Sequence, residues 1–191
     1  MDRHLTRRAS LLVALVLLSA GVVLLLLRPR SDAPRLDLPP VTNLAAGLAQ
    51  RFPPGQRRAA PRLHGRMLQG TQRELTLGGR VTVINFWASW CAPCKREAAQ
   101  LEAYATGPGK PRVIGVDTND TRGNALAFIG RYHVHFPNLS NPDGSISFAY
   151  AVPGLPTTII VDAHGRIAEL LAGPQTVRSL TRAFERAKAT P

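Results

Sequence analysis

The chain has 191 residues, room for one ordinary domain and some further sequence, with 45% hydrophobic residues and a formal net charge of +12. The charge is uneven: residues 1–66 hold 11 Lys/Arg against 3 Asp/Glu, and residues 67–191 hold 13 against 9. With no basic helix or base-stacking motif in the mildly basic remainder, this argues against nucleic-acid binding and fits a basic segment at an anionic membrane surface.

The N-terminal stub of residues 1–8 carries Arg3, Arg7 and Arg8, as in the charged region of an export signal. Ala9 to Leu27 then runs for 19 residues without a charge, the length that spans a bilayer as a helix. It is long for a cleavable signal, no small-x-small site follows, and no Cys follows Ser19-Ala20-Gly21, so lipid attachment is not indicated. The expectation is an uncleaved signal anchor. The short basic stub favours a cytoplasmic N-terminus and an exported C-terminal domain, although Arg28, Arg30 and Arg35 flank the far end as well.

Residues 28–62 hold seven of the sixteen prolines. Such a segment is expected to form neither sheet nor long helix and to act as a spacer. Within it Val41, Leu44, Ala45, Leu48 and Phe52 fall on one helical face, with Thr42 or Asn43 as caps.

The folded domain is expected over 63–191. Leu63 to Leu77 reads as a hairpin around Gly70-Thr71. Val81 to Trp87 is an apolar, β-rich run fit for a strand covered on both faces. A helix is expected over Cys91 to Ala105, a strand over Arg112 to Asp117 and a helix over Asn124 to Tyr132. Asn141-Pro142-Asp143-Gly144 is a turn, followed by one or two helical turns from Ser145 to Tyr150. Thr157 to Val161 and Ile167 to Leu171 are strands joined at Asp162-Ala163-His164-Gly165. Val177, Leu180 and Phe184 mark an amphipathic last helix to about Lys188. The order β-β-β-α-β-α-(α)-β-β-α predicts an α/β fold with a mixed central sheet and helices on both faces.

The two cysteines, Cys91 and Cys94, lie three residues apart, and a loop that short gains little closure entropy, so the pair is more chemical than structural. Trp90-Cys91-Ala92-Pro93-Cys94-Lys95 stands where a buried strand hands over to a helix. Cys91 falls at the helix N-terminus, where free N–H groups and the macrodipole favour the thiolate, the attacking species. Pro93 suits the first turn, where its missing N–H is not needed. Cys94 sits one turn further on, shielded by its helix. Cys91 then attacks a substrate disulfide and Cys94 resolves the mixed disulfide. A zinc site lacks a second Cys pair, His4, His64, His133, His135 and His164 are not paired with the motif, and covalent haem attachment needs a His where Lys95 stands. No cofactor or metal is expected beyond the Cys pair itself.

Cys94, Glu97, Leu101 and Tyr104 share one helix face, and Leu101 and Tyr104 mark it as core-directed. Glu97 is either a partly desolvated proton acceptor for Cys94 or an exposed carboxylate beside Lys95 and Arg96. The residues alone leave both open. Pro156 in Gly154-Leu155-Pro156-Thr157 leads into a strand, and trans is its default.

Asn85 to Glu97 (NFWASWCAPCKRE) closely resembles the active-site segment of the TlpA/ResA-like thioredoxins. Asn141-Pro142-Asp143-Gly144 and Val152 to Asp162 (VPGLPTTIIVD) continue the resemblance in register, over about Leu63 to Ala187. The resemblance implies a thioredoxin fold with an inserted helix-strand element before the final hairpin. It implies a cis Pro156 facing the Cys pair, with Leu155 offering backbone groups to an extended peptide, and it makes Glu97 the active-site carboxyl. Cytoplasmic thioredoxins carry an Asp where this chain has Asn85. Trp90, Pro93, Leu155 and Pro156 are the expected substrate-binding residues, and Pro153 is a departure near the groove.

The function so implied is that of an extracytoplasmic, single-pass bacterial membrane protein that reduces disulfides of exported proteins, apocytochrome c among them. A membrane thiol–disulfide transporter supplies the electrons. Two other functions remain: an oxidase that introduces disulfides, and a peptide-binding module with a static Cys91–Cys94 bond. Thiol peroxidase chemistry usually uses a more isolated Cys.

Overall fold

A computed structural model describes residues 49–109 and 111–189. The expected anchor at residues 9–27, most of the spacer and the amphipathic stretch as far as Leu48 lie outside these residues. No described helix is long and apolar enough to cross a membrane.

Among the described residues eight strands and four α-helices follow in chain order: β1 (Ala49–Arg51), β2 (Leu63–Arg66), β3 (Gln72–Leu75), β4 (Thr82–Trp87), α1 (Ala92–Thr106), β5 (Arg112–Thr118), α2 (Arg122–Arg131), β6 (Asn138–Asn141), α3 (Ser145–Ala149), β7 (Thr157–Val161), β8 (Ile167–Ala172) and α4 (Val177–Lys188). The main sheet has the order β1-β8-β7-β4-β5-β6, with β4, β5 and β6 parallel and the remaining pairs antiparallel. β2 and β3 form a separate hairpin. This is the mixed sheet the sequence predicts.

Alternation along the central strand β4 explains both layers of the core. Val83 and Trp87 point into a cluster with Cys94, Ala98 and Leu101 of α1, Phe128 of α2 and Leu180 of α4. Ile84 and Phe86 point the other way, to Leu63, Leu139, Tyr150 and Ile159. All three long helices thus contribute to one face of the sheet. The other is covered by Leu63 and Met67 from the hairpin region, by Ile146 and Tyr150 at α3, and by Phe52 and Ala60 from the N-terminal segment.

Two expectations need correction. The spacer does not extend to residue 62: Ala49–Arg51 pairs with Leu171–Glu169 of β8, Phe52 N–H donates to the Ala168 carbonyl and Ile167 N–H to that of Arg58. Arg57 meets Asp162 at 3.0 Å with both side chains buried. Pro53, Pro54 and Pro61 are tolerated because this is the edge of the sheet, where a missing donor costs little. Ala49–Arg51 is also extended, so Phe52 is not part of a helix. The second correction is β6, absent from the pattern read off the residues but consistent with the strand that the family resemblance inserts before the final hairpin.

Candidate active site

β4 ends at Trp87, and Ala88-Ser89-Trp90 carries the chain to α1. Cys91 is the N-cap of that helix, with extended backbone, and its sulfur accepts from the Cys94 N–H at 3.2 Å. Pro93 stands in the first turn, where a missing N–H is no loss. Cys91 and Cys94 are joined as a disulfide with Cα atoms 5.3 Å apart. When the bond is reduced, a charge on Cys91 meets the N-terminal amides of a 15-residue helix, and the Cys94 sulfur does not. In the disulfide both residues are buried, 4% and 2% exposed, so burial does not distinguish them; the N-cap position does.

Trp90 is 57% exposed and its indole N–H donates to the Asn119 carbonyl at 3.0 Å. The Leu155–Pro156 bond is cis, as the resemblance implies and contrary to the default for an isolated X-Pro bond. β7 runs antiparallel to β4 with Thr157 opposite Phe86, so Pro156 lies at the end of the sheet from which the Cys91 loop leaves. Leu155 is half-buried and packs against both core clusters.

Glu97 is 1% exposed, which decides between its two readings: it is a core carboxyl and not a surface partner of Lys95 or Arg96. Its Oε1 accepts from the Gln175 N–H at 2.8 Å and its Oε2 from Asn85 Nδ2 at 3.2 Å. Burial pushes its pKa up to about 7, against the pull of these two hydrogen bonds. Asn85 Nδ2 also donates to Thr158 Oγ1 at 3.1 Å. The sequence singles out Asn85 and Glu97 but not Gln175, which reaches the site through its backbone and so leaves no side-chain signal. Among the described residues no three of His, Cys, Asp and Glu gather as a metal cage.

Residues 57–170 match the AhpC/TSA family. The chain belongs to that family and is a TlpA/ResA-like member of it. It is 42% identical over 97 residues to the thiol:disulfide interchange protein DsbE of Allochromatium vinosum, covering 50% of this chain and 53% of that protein. Identity to the thiol-disulfide oxidoreductase ResA of Bacillus cereus is 32% over 116 residues, covering 59% of this chain and 67% of that one. The chain thus spans about half to two thirds of the length of these relatives. Among solved structures, a DsbF homologue from Corynebacterium diphtheriae superposes with a TM-score of 0.66 at 23% identity, over 75% of this chain and 95% of that one, which establishes the shared thioredoxin-like fold.

Proposed function

We propose that the protein is a thiol–disulfide oxidoreductase that reduces disulfides of exported proteins, apocytochrome c among them. In this reading residues 9–27 tether it to the membrane, with the domain on the extracytoplasmic side. A membrane thiol–disulfide transporter returns it to the dithiol form. One observation carries the reading: the Cys91–Cys94 pair at the start of α1, with Cys91 as N-cap and the buried Glu97 one turn beyond Cys94. The names of the DsbE and ResA relatives support the same chemistry.

Each step balances. The Cys91 thiolate attacks one substrate sulfur; the substrate disulfide breaks and its other sulfur leaves as a thiolate that takes up a proton. Cys94 then gives its proton to the Glu97 carboxylate and attacks the Cys91 sulfur. The Cys91–substrate bond breaks, the second substrate thiolate leaves and is protonated, and the Cys91–Cys94 disulfide remains. Two electrons and two protons have passed to the substrate. Leu155 lies outside β7 and lacks a backbone hydrogen bond among the described residues. Its N–H and carbonyl can therefore pair with an extended substrate strand, next to Pro156.

The test is the reduction potential of the Cys91–Cys94 pair in the full-length protein. A value below roughly −200 mV supports a reductase, and one near roughly −120 mV makes the protein a disulfide donor. Cys94→Ala is expected to trap a mixed disulfide with substrate while Cys91→Ala is not. The reverse pattern overturns the assigned roles, and full function of the double Cys→Ala variant makes the domain a peptide-binding module.

A further inference from the structure

On the same end of the sheet a pair of carboxyl groups, Asp117 and Asp120, stands apart from the Glu97 site. Asp117, near the end of β5, is fully buried, and neither of its carboxyl oxygens has a hydrogen-bond donor among the described residues. Three residues on, Asp120 is 8% exposed and well supplied: its Oδ2 accepts from the Ser89 N–H at 2.6 Å and its Oδ1 from the Thr121 N–H at 2.7 Å. Ser89 lies in the loop that presents Cys91, two residues before it. Asp120 therefore ties this loop to the β5–α2 connection, alongside the Trp90 indole on the Asn119 carbonyl.

Two ionised carboxylates have no proton between them to bond with. Of the pair, Asp120 has the donors that stabilise an anion, and Asp117 has none. The proton belongs on Asp117, which then has a donor to offer. We propose that Asp117 and Asp120 share this proton, with neutral Asp117 donating to the Asp120 carboxylate and Asp120 holding the Ser89 amide. Asp117 is thereby a positioning residue for the Cys91 loop.

The electrostatics agree with that geometry. Burial first, then the charge of Asp120 and the hydrogen bond to it, push the Asp117 carboxyl up to about 8. No opposing charge among the described residues offsets this. In the sheet Asp117 lies opposite Trp87 of β4 and Ser140 of β6, neither of which carries a charge. On α2, Arg122 turns its guanidinium to the Leu68 carbonyl at 2.8 Å. On α1, Glu97 is engaged by Asn85 and Gln175, and the exposed Lys95 lines a surface groove with Ser89 and Arg131. When Asp117 loses its proton to solvent, two negative charges face each other and the hold of Asp120 on Ser89 weakens.

The bearing on catalysis rests on Cys91 being the attacking sulfur. The positioning itself is read without any turnover, in the oxidised full-length protein, where no thiol titrates. Amide hydrogen exchange at Ser89 is followed against pH. In the wild type its protection, corrected for intrinsic exchange, is expected to fall about tenfold between pH 6 and pH 9. In Asp117→Asn, whose neutral amide still donates to Asp120, protection stays flat. Parallel profiles in the two proteins, or no fall in either, overturn the proposal. If Asp117→Asn does not fold, the wild type decides: Asp117 titrating below about pH 5 in its carboxyl 13C signal overturns the proposal, and an Asp117 titration near pH 8 matched by a shift of the Ser89 amide signal over the same range upholds it.

Discussion

Asn85 Nδ2 meets Glu97 Oε2 at 3.2 Å and joins the central strand to the first turns of α1 in the core beneath the Cys pair. An amide at position 85 places a neutral donor where a second carboxyl would repel Glu97. The buried charge is therefore confined to one residue, one helical turn from Cys94. The Gln175 amide adds a second donor from the loop before α4, so two separate parts of the chain hold this carboxyl of α1.

This arrangement gives Glu97 a pKa suited to accepting a proton near neutral pH, about 7. Resolution of the mixed disulfide by Cys94 is expected to accelerate as pH rises through about 7, because only ionised Glu97 accepts. Glu97→Gln is expected to slow that step about 100-fold near pH 8 and remove its dependence through 7, with the first attack by Cys91 unchanged. Gln can keep both contacts, since Asn85 can flip to present its oxygen. Rapid-quench decay of the mixed disulfide measures the effect; equal rates and profiles in both proteins would leave Glu97 with a purely structural role.

The same carboxyl makes stability depend on pH. Its folded pKa of about 7 lies above the unfolded value of 4.5, so between those values the folded state holds a proton the unfolded state has lost. The Glu97 contribution to stability is then greatest below about 4.5 and is lost as pH rises through 7. The loss is on the order of 3 kcal/mol, and Asp117 adds a change of the same sign extending to about 8. Urea unfolding of the oxidised protein should show this slope. Glu97→Gln should remove its Glu97 share and be more stable than wild type at pH 8, by a margin that shrinks toward pH 5.

The elements around the chemistry are legible in the sequence because each carries its own signal: the apolar run of β4, the N-cap and proline of α1, and the amphipathic face of α4. What is not legible is held by backbone or by buried polar groups. The side chains of Ala49, Gln50 and Arg51 are all exposed, so β1 has no alternation to read; it pairs through its main chain and through one side-chain contact, Arg51 Nε to Glu169 Oε1 at 3.1 Å. β6 reads as a polar loop, yet Asn138 and Asn141 are buried. Asn138 accepts from the Trp87 indole, and Asn141 accepts from the Ile146 amide. Helical spacing places Glu97 on the core face of α1, but nothing in that spacing identifies Gln175, 78 residues away, as its partner.

The N-terminal segment is part of the domain, and its removal should show. A chain beginning at Leu63 lacks β1 and leaves Asp162 buried without Arg57, although the His164 and Arg166 amides still donate to it. Breaking a buried pair by removing one partner costs about 3–5 kcal/mol. Arg57→Ala in the full-length protein is expected to lose an amount near the lower end, and the chain from Leu63 more. Equal denaturation midpoints for the chain from Leu63 and the full-length protein would mean that residues 49–62 contribute no stability.

Gly115 offers a test of the wall behind the active-site loop. It lies in the middle of β5, opposite Asn85 on β4 and Asn138 on β6. A Cβ there would run into the Asn138 side chain and come within 2.8 Å of Trp87 Nε1. The Trp87 indole donates to Asn138 Oδ1 at 2.9 Å across this gap, and the Trp87 ring stacks on Phe128 with centroids 4.4 Å apart. Gly115→Ala must therefore displace a buried hydrogen bond and a stacked ring at the residue from which the Cys91 loop departs. A stability loss of about 1–3 kcal/mol is expected from the overpacking, together with a red-shifted tryptophan emission as the Trp87 indole leaves its buried partner. Unaltered emission and an unaltered melting temperature would show that the strands part enough to admit the methyl group without moving Trp87.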